Sequence, residues 1–192
     1  PKCFVFSEMG VGKTASAAWA ADYLLKKKRI KRVLVVCPLS IMKAAWQRDL
    51  FSVLPHRSVG IAHGAVSTRR KIIAGDYEFV VINYDGILTV LDELIAANFD
   101  FIVADESSYL KNVSTHRWKA FHKLAKASPR VVLMTGTPAA QSPVDAFGLA
   151  KIICPDRVPR FFGGWRDVVM QKITMFKYTP RPRANDIVFA AL

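Results

Sequence analysis

Cysteine is scarce: three residues in 192, at positions 3, 37 and 154, are odd in number and far apart. No C-x-x-C and no Cys/His ligand spacing occurs, so neither a disulfide framework nor a zinc site is supported, and buried free thiols in a reducing compartment are the expected state. The four histidines, His56, His63, His116 and His122, form no H-E-x-x-H-like pair, so a metal site made by protein ligands alone is not expected. Long apolar runs are also missing. A membrane span needs about 18 such residues, and the greasiest region, Phe79 to Ala104, is interrupted by Asn83, Asp85, Asp92, Glu93, Asn98 and Asp100. The opening PKCFVFSEMG places Glu8 where a signal peptide would be apolar, and the chain reads as soluble and intracellular. Acidic residues are few, 15 against 28 Lys and Arg, for a net charge of +13. A polyanion is therefore the favoured partner class. The densest basic run, KKKRIKR at Lys26–Arg32, is equally well read as a solvated helix end whose cations complement the helix dipole.

What is present is an alternating series. Compact apolar runs at 2–6, 32–37, 58–62, 78–82, 100–104 and 130–134 predict strands, and their continuity suggests burial on both faces of a parallel sheet. Helices are expected over 13–28, 40–52, 67–74, 85–97, 114–127 and 143–151, with Ser40 as a cap residue and Ser142-Pro143 opening the last. Such alternation implies an α/β sandwich with right-handed crossovers, which binds ligands at the carboxyl ends of its strands. The polar clusters SEMGVGKT, CPLS, AHG, NYDG, DESS and TGTPAAQ each follow a predicted strand. From Cys154 onward the chain becomes rich in Pro, Gly, Arg and aromatics. The expected division is a domain over 1–154 and an appended segment over 155–192.

SEMGVGKT differs from the phosphate-loop pattern G-x-x-x-x-G-K-[ST] only at Ser7. In such a loop, backbone N–H groups from Met9 to Thr14 wrap phosphates, Lys13 reaches the β- and γ-phosphates and Thr14 ligates Mg²⁺. Gly10 and Gly12 allow the tight curvature. The plainer alternative is a ligand-free strand-to-helix turn. The hydrophobic strand ending in Asp105-Glu106 supplies the complementary half of a phosphate-loop ATPase, with Asp105 in the Mg²⁺ shell and Glu106 orienting and deprotonating water. The T-G-T-P cluster, Thr135 to Pro138, reads by itself more readily as a turn whose Thr hydroxyls cap the next helix.

Taken in order, SEMGVGKT, VVCPLS with Trp46, INYDG, DESSYLKN and LMTGTPAAQSPVDAFGLAKIICP resemble the motifs of superfamily 2 helicase-like ATPases, and most of all the SWI/SNF branch of double-stranded DNA translocases. That branch tolerates a non-glycine at the position of Ser7. Ser108 stands where histidine is common, and Gln141 where asparagine is usual. The D-E-S spelling is similar to that of phage and bacterial members, which implies a cytoplasmic setting in a bacterial or phage-infected cell. The resemblance implies a RecA-like three-layer sandwich with a mostly parallel central sheet, binding ATP and Mg²⁺. It implies nucleotide contacts from Glu8, Met9, Gly10, Val11, Gly12, Lys13 and Thr14, with metal held by Thr14 and Asp105 and catalysis resting on Lys13, Asp105 and Glu106. Nucleic-acid contact or coupling falls to Pro38, Leu39, Ser40, His63, Gly64, Asn83, Tyr84, Thr135, Gly136, Thr137 and Gln141, through phosphates rather than base edges. Trp46 reads as core rather than as a stacking platform.

The implied partners are duplex DNA and a second RecA-like lobe, which brings arginine fingers and the opposite wall of the cleft. That lobe and a glutamine-containing adenine-recognition segment are not in this chain, so the isolated fragment is expected to hydrolyse ATP weakly or not at all. Alternatives are a non-catalytic nucleic-acid-binding scaffold and an unrelated phosphate-loop kinase.

Overall fold

The computed structural model describes residues 2–6, 12–42, 46, 48–136, 138–139 and 141–192. Strands β1 (Lys2–Phe6), β2 (Val33–Cys37), β3 (Val59–Ala62), β4 (Phe79–Asn83), β5 (Phe101–Ala104) and β6 (Val131–Thr135) form one sheet in the order β1-β6-β5-β2-β4-β3. Every pairing in it is parallel. Three of the four interior strands, β5, β2 and β4, are buried at every residue, as their largely Val/Ile/Leu/Phe content requires when helices cover both faces.

Side chains alternate across the sheet, and each face builds its own core. Leu34, Val36, Val80, Ile82, Ile102 and Leu133 pack with Phe121 and Leu124 of α7 (His116–Ala127) and with Leu149 and Ile152 of α8 (Ala146–Ile153). On the other face Val33, Val35, Val81, Val103 and Met134 meet Ala17, Ala18, Ala21 and Leu25 of α1 (Lys13–Lys26), with Trp46 and with Leu50 of α3 (Arg48–Val53). Small alanines on α1 let the helix lie close against the strands. Truncating Phe121, which is fully buried, costs about 3–5 kcal/mol by the usual cavity penalty.

One expected helix is subdivided. In place of one helix over 85–97 there are α5 (Tyr84–Ile87) and α6 (Leu91–Ala96). Between them Thr89 donates its hydroxyl to the Gly86 carbonyl, a local bond that competes with the helical ladder, and Val90 leaves helical geometry at φ −143°. The expected 40–52 helix contains α2 (Leu39–Ile41) and α3 among the described residues. After β3 comes α4 (Val66–Ala74), close to its expected span.

The chain after 154 does not trail away. It forms α9 (Phe162–Val169), an antiparallel hairpin of β7 (Met170–Lys172) with β8 (Tyr178–Pro180), and α10 (Ala184–Ala191). Trp165, Val169, Val188 and Ala191 share a third core with Ala146, Phe147 and Ala150 of α8. One cysteine departs from expectation. Cys37 is buried and Cys154 half-buried, but Cys3 is exposed, because β1 lies at the sheet edge.

Candidate nucleotide site

The carboxyl edge of the sheet is where β1, β2, β4, β5 and β6 deliver their polar clusters, since all run the same way. At the start of α1, Gly12 takes a left-handed conformation (φ 82°, ψ 24°), and a Cβ placed there meets no atom within 4 Å. The demand is conformational, and among the described residues no atom crowds the position. Among the described residues no side chain caps α1 and no acidic residue occupies its first turn. Its leading N–H groups and dipole therefore favour an anion. Lys13 and Thr14, both half-buried, stand in that turn. Glu8, Met9, Gly10 and Val11 lie outside the described residues, as does Thr137.

The acidic pair sits just beyond β5. Asp105 is only 7% exposed. Its Oδ2 accepts from the indole Nε1 of Trp46 at 2.8 Å and its Oδ1 from the Glu106 backbone N–H at 2.9 Å. Its own N–H donates to the Val36 carbonyl at 2.8 Å, tying the loop to β2. Burial raises the Asp105 pKa above the ordinary aspartate value, with Glu106 adding to the rise while the Trp46 and Glu106 hydrogen bonds and Lys13 oppose it. A carboxylate in this state gains by the arrival of a cation. Nearby Cys37, at the end of β2, has its thiol pushed up to about 12 by burial and then by Asp105, so it stays neutral.

Glu106 adopts a left-handed backbone (φ 50°, ψ 53°), costly for a residue with a Cβ and typical of functional turns. The turn directs its carboxylate back over the sheet edge. There Oε1 lies 3.1 Å from the Ser108 hydroxyl and 3.3 Å from that of Thr135, which is fully buried at the end of β6. The second and third motifs, read separately in the sequence, thus meet at one carboxylate oxygen. Lys111 spans to Gln141 Oε1 at 2.7 Å and to Asp145 at 3.3 Å, linking the loops after β5 and β6 a second time.

The residues expected to face nucleic acid divide into two groups. Leu39, Ser40 and Gly64 are exposed, His63 and Gly136 are half-buried, and Gln141 is exposed. Pro38, Asn83 and Tyr84 are buried. Tyr84 in particular is turned inward: its hydroxyl donates to the Asp105 carbonyl at 2.8 Å and its ring stacks on Tyr109 at 5.3 Å. The Tyr84 side chain thus supports the acidic loop. Trp46 is core, as expected, but its indole N–H has a polar task that the sequence does not reveal. It lies 59 residues from Asp105, and no spacing rule connects them. The Ser108 and Thr135 contacts with Glu106 were equally hidden.

Comparison with known proteins agrees with this geometry. The SNF2-related domain family matches residues 1–180. SWI/SNF-related matrix-associated actin-dependent regulator of chromatin subfamily A-like protein 1 of Xenopus tropicalis is 36% identical over 157 residues, 80% of this chain and 16% of that protein. The human DNA annealing helicase and endonuclease ZRANB3 is 28% identical over 174 residues, 86% of this chain and 15% of that protein. The chain thus spans about a sixth of the length of these curated relatives. Among solved structures, the Sulfolobus solfataricus SWI2/SNF2 ATPase core in complex with dsDNA superimposes with a TM-score of 0.73 at 26% identity, covering 85% of this chain and 33% of that one. The expected phage or bacterial type, and with it the bacterial cytoplasm, is overturned: the similar curated proteins are from animals and are named for chromatin regulation and DNA annealing. The fold is that of the SNF2 ATPase core, and the chain belongs to the SNF2-related domain family.

Proposed function

We propose that this chain is the nucleotide-binding lobe of an ATP-dependent motor that translocates on duplex DNA. The observation that carries the reading is the convergence of β5 and β6 on Glu106, whose strained backbone and two hydroxyl donors hold a carboxylate at the strand ends beside the uncapped start of α1.

The residues present fit ATP and Mg²⁺. Open space at Gly12 admits phosphates, and the raised pKa of Asp105 marks a carboxylate short of positive charge. Lys13 and the first-turn amides would hold the phosphate chain, and Thr14 with Asp105 would hold Mg²⁺, which when bound neutralises charge developing on the phosphoryl oxygens. Glu106 would orient a water molecule and take its proton. Trp46 keeps Asp105 in place, and Thr135 carries any shift of the β6 loop to Glu106. The exposed Leu39, Ser40 and Gly64 at the same edge suit contact with DNA phosphates. The double-stranded DNA in the Sulfolobus complex supports that choice of partner.

A second lobe facing this edge would complete the cleft. An arginine finger is worth about 10³–10⁵ in rate in related phosphate-loop enzymes, so the separate chain should turn over at a small fraction of the full-length rate. The test is DNA-stimulated ATP hydrolysis by the full-length protein with Lys13→Ala and Glu106→Gln. Both should lose about 10²-fold or more while retaining duplex binding. Wild-type protein that binds DNA without hydrolysing ATP would support the scaffold alternative and overturn the motor.

A further inference from the structure

A cavity of about 400 Å³ lies between α7 and α8, reaching the amino edge of the sheet where β1 begins. That edge is opposite to the one holding Asp105 and Glu106. Four cations line it: Lys2, Lys126, Lys151 and Arg160. Among the described residues no carboxylate lines it, and none of the four makes an ion pair. By contrast, Arg57, 13% exposed, is answered by Asp22 and Glu78. Here four like charges face one cavity; the described contacts of Lys151 and Arg160 are aromatic, with the Phe147 and Phe161 rings at 5.7 and 5.2 Å.

The wall of the cavity is built rather than incidental. Trp118 donates its indole N–H to the Gly148 carbonyl at 2.8 Å, which locks α7 to α8, and its ring stacks on His122 at 4.4 Å between centroids. Lys2 rests on the Ile152 carbonyl. The crowding registers on two of the lining groups: Lys2 is lowered by burial and by Lys126, and His122 is lowered by burial and then by Lys126, Lys2 and Lys151. A concave cluster of cations, Lys2 and Lys151 half-buried and Lys126 and Arg160 exposed, beside a fixed aromatic wall matches a small anion of high charge, which several cations can contact at once.

We propose that this cavity binds a compact polyphosphate, inorganic or carried on a small organic molecule, at a site separate from the nucleotide cleft. Its occupancy relieves the repulsion among the four cations and cross-links β1, α7 and α8. The site does not depend on the motor reading.

The test is calorimetric titration of the full-length protein with inorganic tripolyphosphate, in a Lys13→Ala background that disables the phosphate loop. Binding is expected, weakened ten-fold or more by the pair Lys126→Gln and Lys151→Gln. It should be unchanged by Lys123→Gln, a lysine on α7 that pairs with Asp92 instead of lining the cavity. Thermal unfolding of the same variants shows whether they remain folded, and tripolyphosphate should raise the midpoint of the parent more than that of the double variant. No binding, or an equal loss with Lys123→Gln, overturns the proposal. So does a double variant that loses affinity for duplex DNA while tripolyphosphate binding stays as it was.

Discussion

Asp22 and Asp105 are equally withdrawn from water, each 7% exposed, yet they titrate in opposite directions. Asp22, on α1, is also opposed by burial, but hydrogen bonds from Lys26, His56 and Arg57 and the charge of Arg57 outweigh it and hold the carboxyl down to about 2. Lys26 lies at 2.8 Å, Arg57 at 2.8 Å and His56 at 3.0 Å. Among the described residues Asp105 accepts an indole N–H and one amide, and burial raises it against these and the charge of Lys13. Burial therefore does not distinguish a structural carboxylate from a functional one; the supply of positive charge does. One acid is saturated and staples α1 to the segment before β3, while the other is kept wanting a cation.

The most severe break in the comparison is Asp105→Asn. DNA-stimulated hydrolysis in the full-length protein should fall about 10²–10³-fold, with unfolding free energy within about 1 kcal/mol of wild type. A variant that keeps its rate would remove Asp105 from the site. Asp22→Ala should do the reverse. It leaves Arg57, 13% exposed, without its partner on α1, and should cost about 3 kcal/mol in denaturant unfolding, with the rate per folded molecule unchanged.

Acid sharpens the contrast. Asp22 binds fewer protons when folded, so its contribution is present above the unfolded value of 3.8 and disappears as pH falls toward about 2. Up to about 2 kcal/mol is at stake. Asp105 binds more protons when folded, so its contribution falls as pH rises through the range above 3.8. Comparing Asp22→Asn and Asp105→Asn with wild type from pH 3 to 7 should give stability differences of opposite slope; slopes of one sign would refute the distinction. The mildest expectation concerns the donor itself. Trp46→Phe keeps the packed ring but removes the N–H, and should raise the Mg²⁺ concentration for half-maximal hydrolysis about ten-fold with a smaller effect at saturating Mg²⁺. An unchanged Mg²⁺ dependence would reduce Trp46 to a core residue.

Much of this was legible in advance because it is local. The Val- and Ile-rich runs appear as strands within a residue of their expected ends, since continuous apolar stretches bounded by polar turns have few other ways to be buried. Gly12 before Lys13 likewise announced a left-handed turn opening a helix. Where a helix was broken, as at Thr89–Val90, a single hydroxyl bond to a carbonyl three residues back decided the matter, below the resolution of a periodic pattern. The Arg- and aromatic-rich composition after Cys154 suggested an appendage, whereas Trp165 and Val188 bury themselves against α8. Phe161 at 69% and Phe176 at 88% exposure do stay outside, while Tyr178 packs against that third core.

By itself, the sequence determined the alternation of strands and helices, the surplus of positive charge and the residue types at the phosphate loop and the acidic pair, because each is set by neighbours along the chain. Only the tertiary structure decided what those residues touch. Trp46 reaches Asp105 across 59 residues, Thr135 reaches Glu106 across 29, and Lys2 stands beside Lys126 and Lys151 at the far edge. Such contacts depend on the strand order β1-β6-β5-β2-β4-β3, which brings distant segments to common edges and leaves no trace in local spacing.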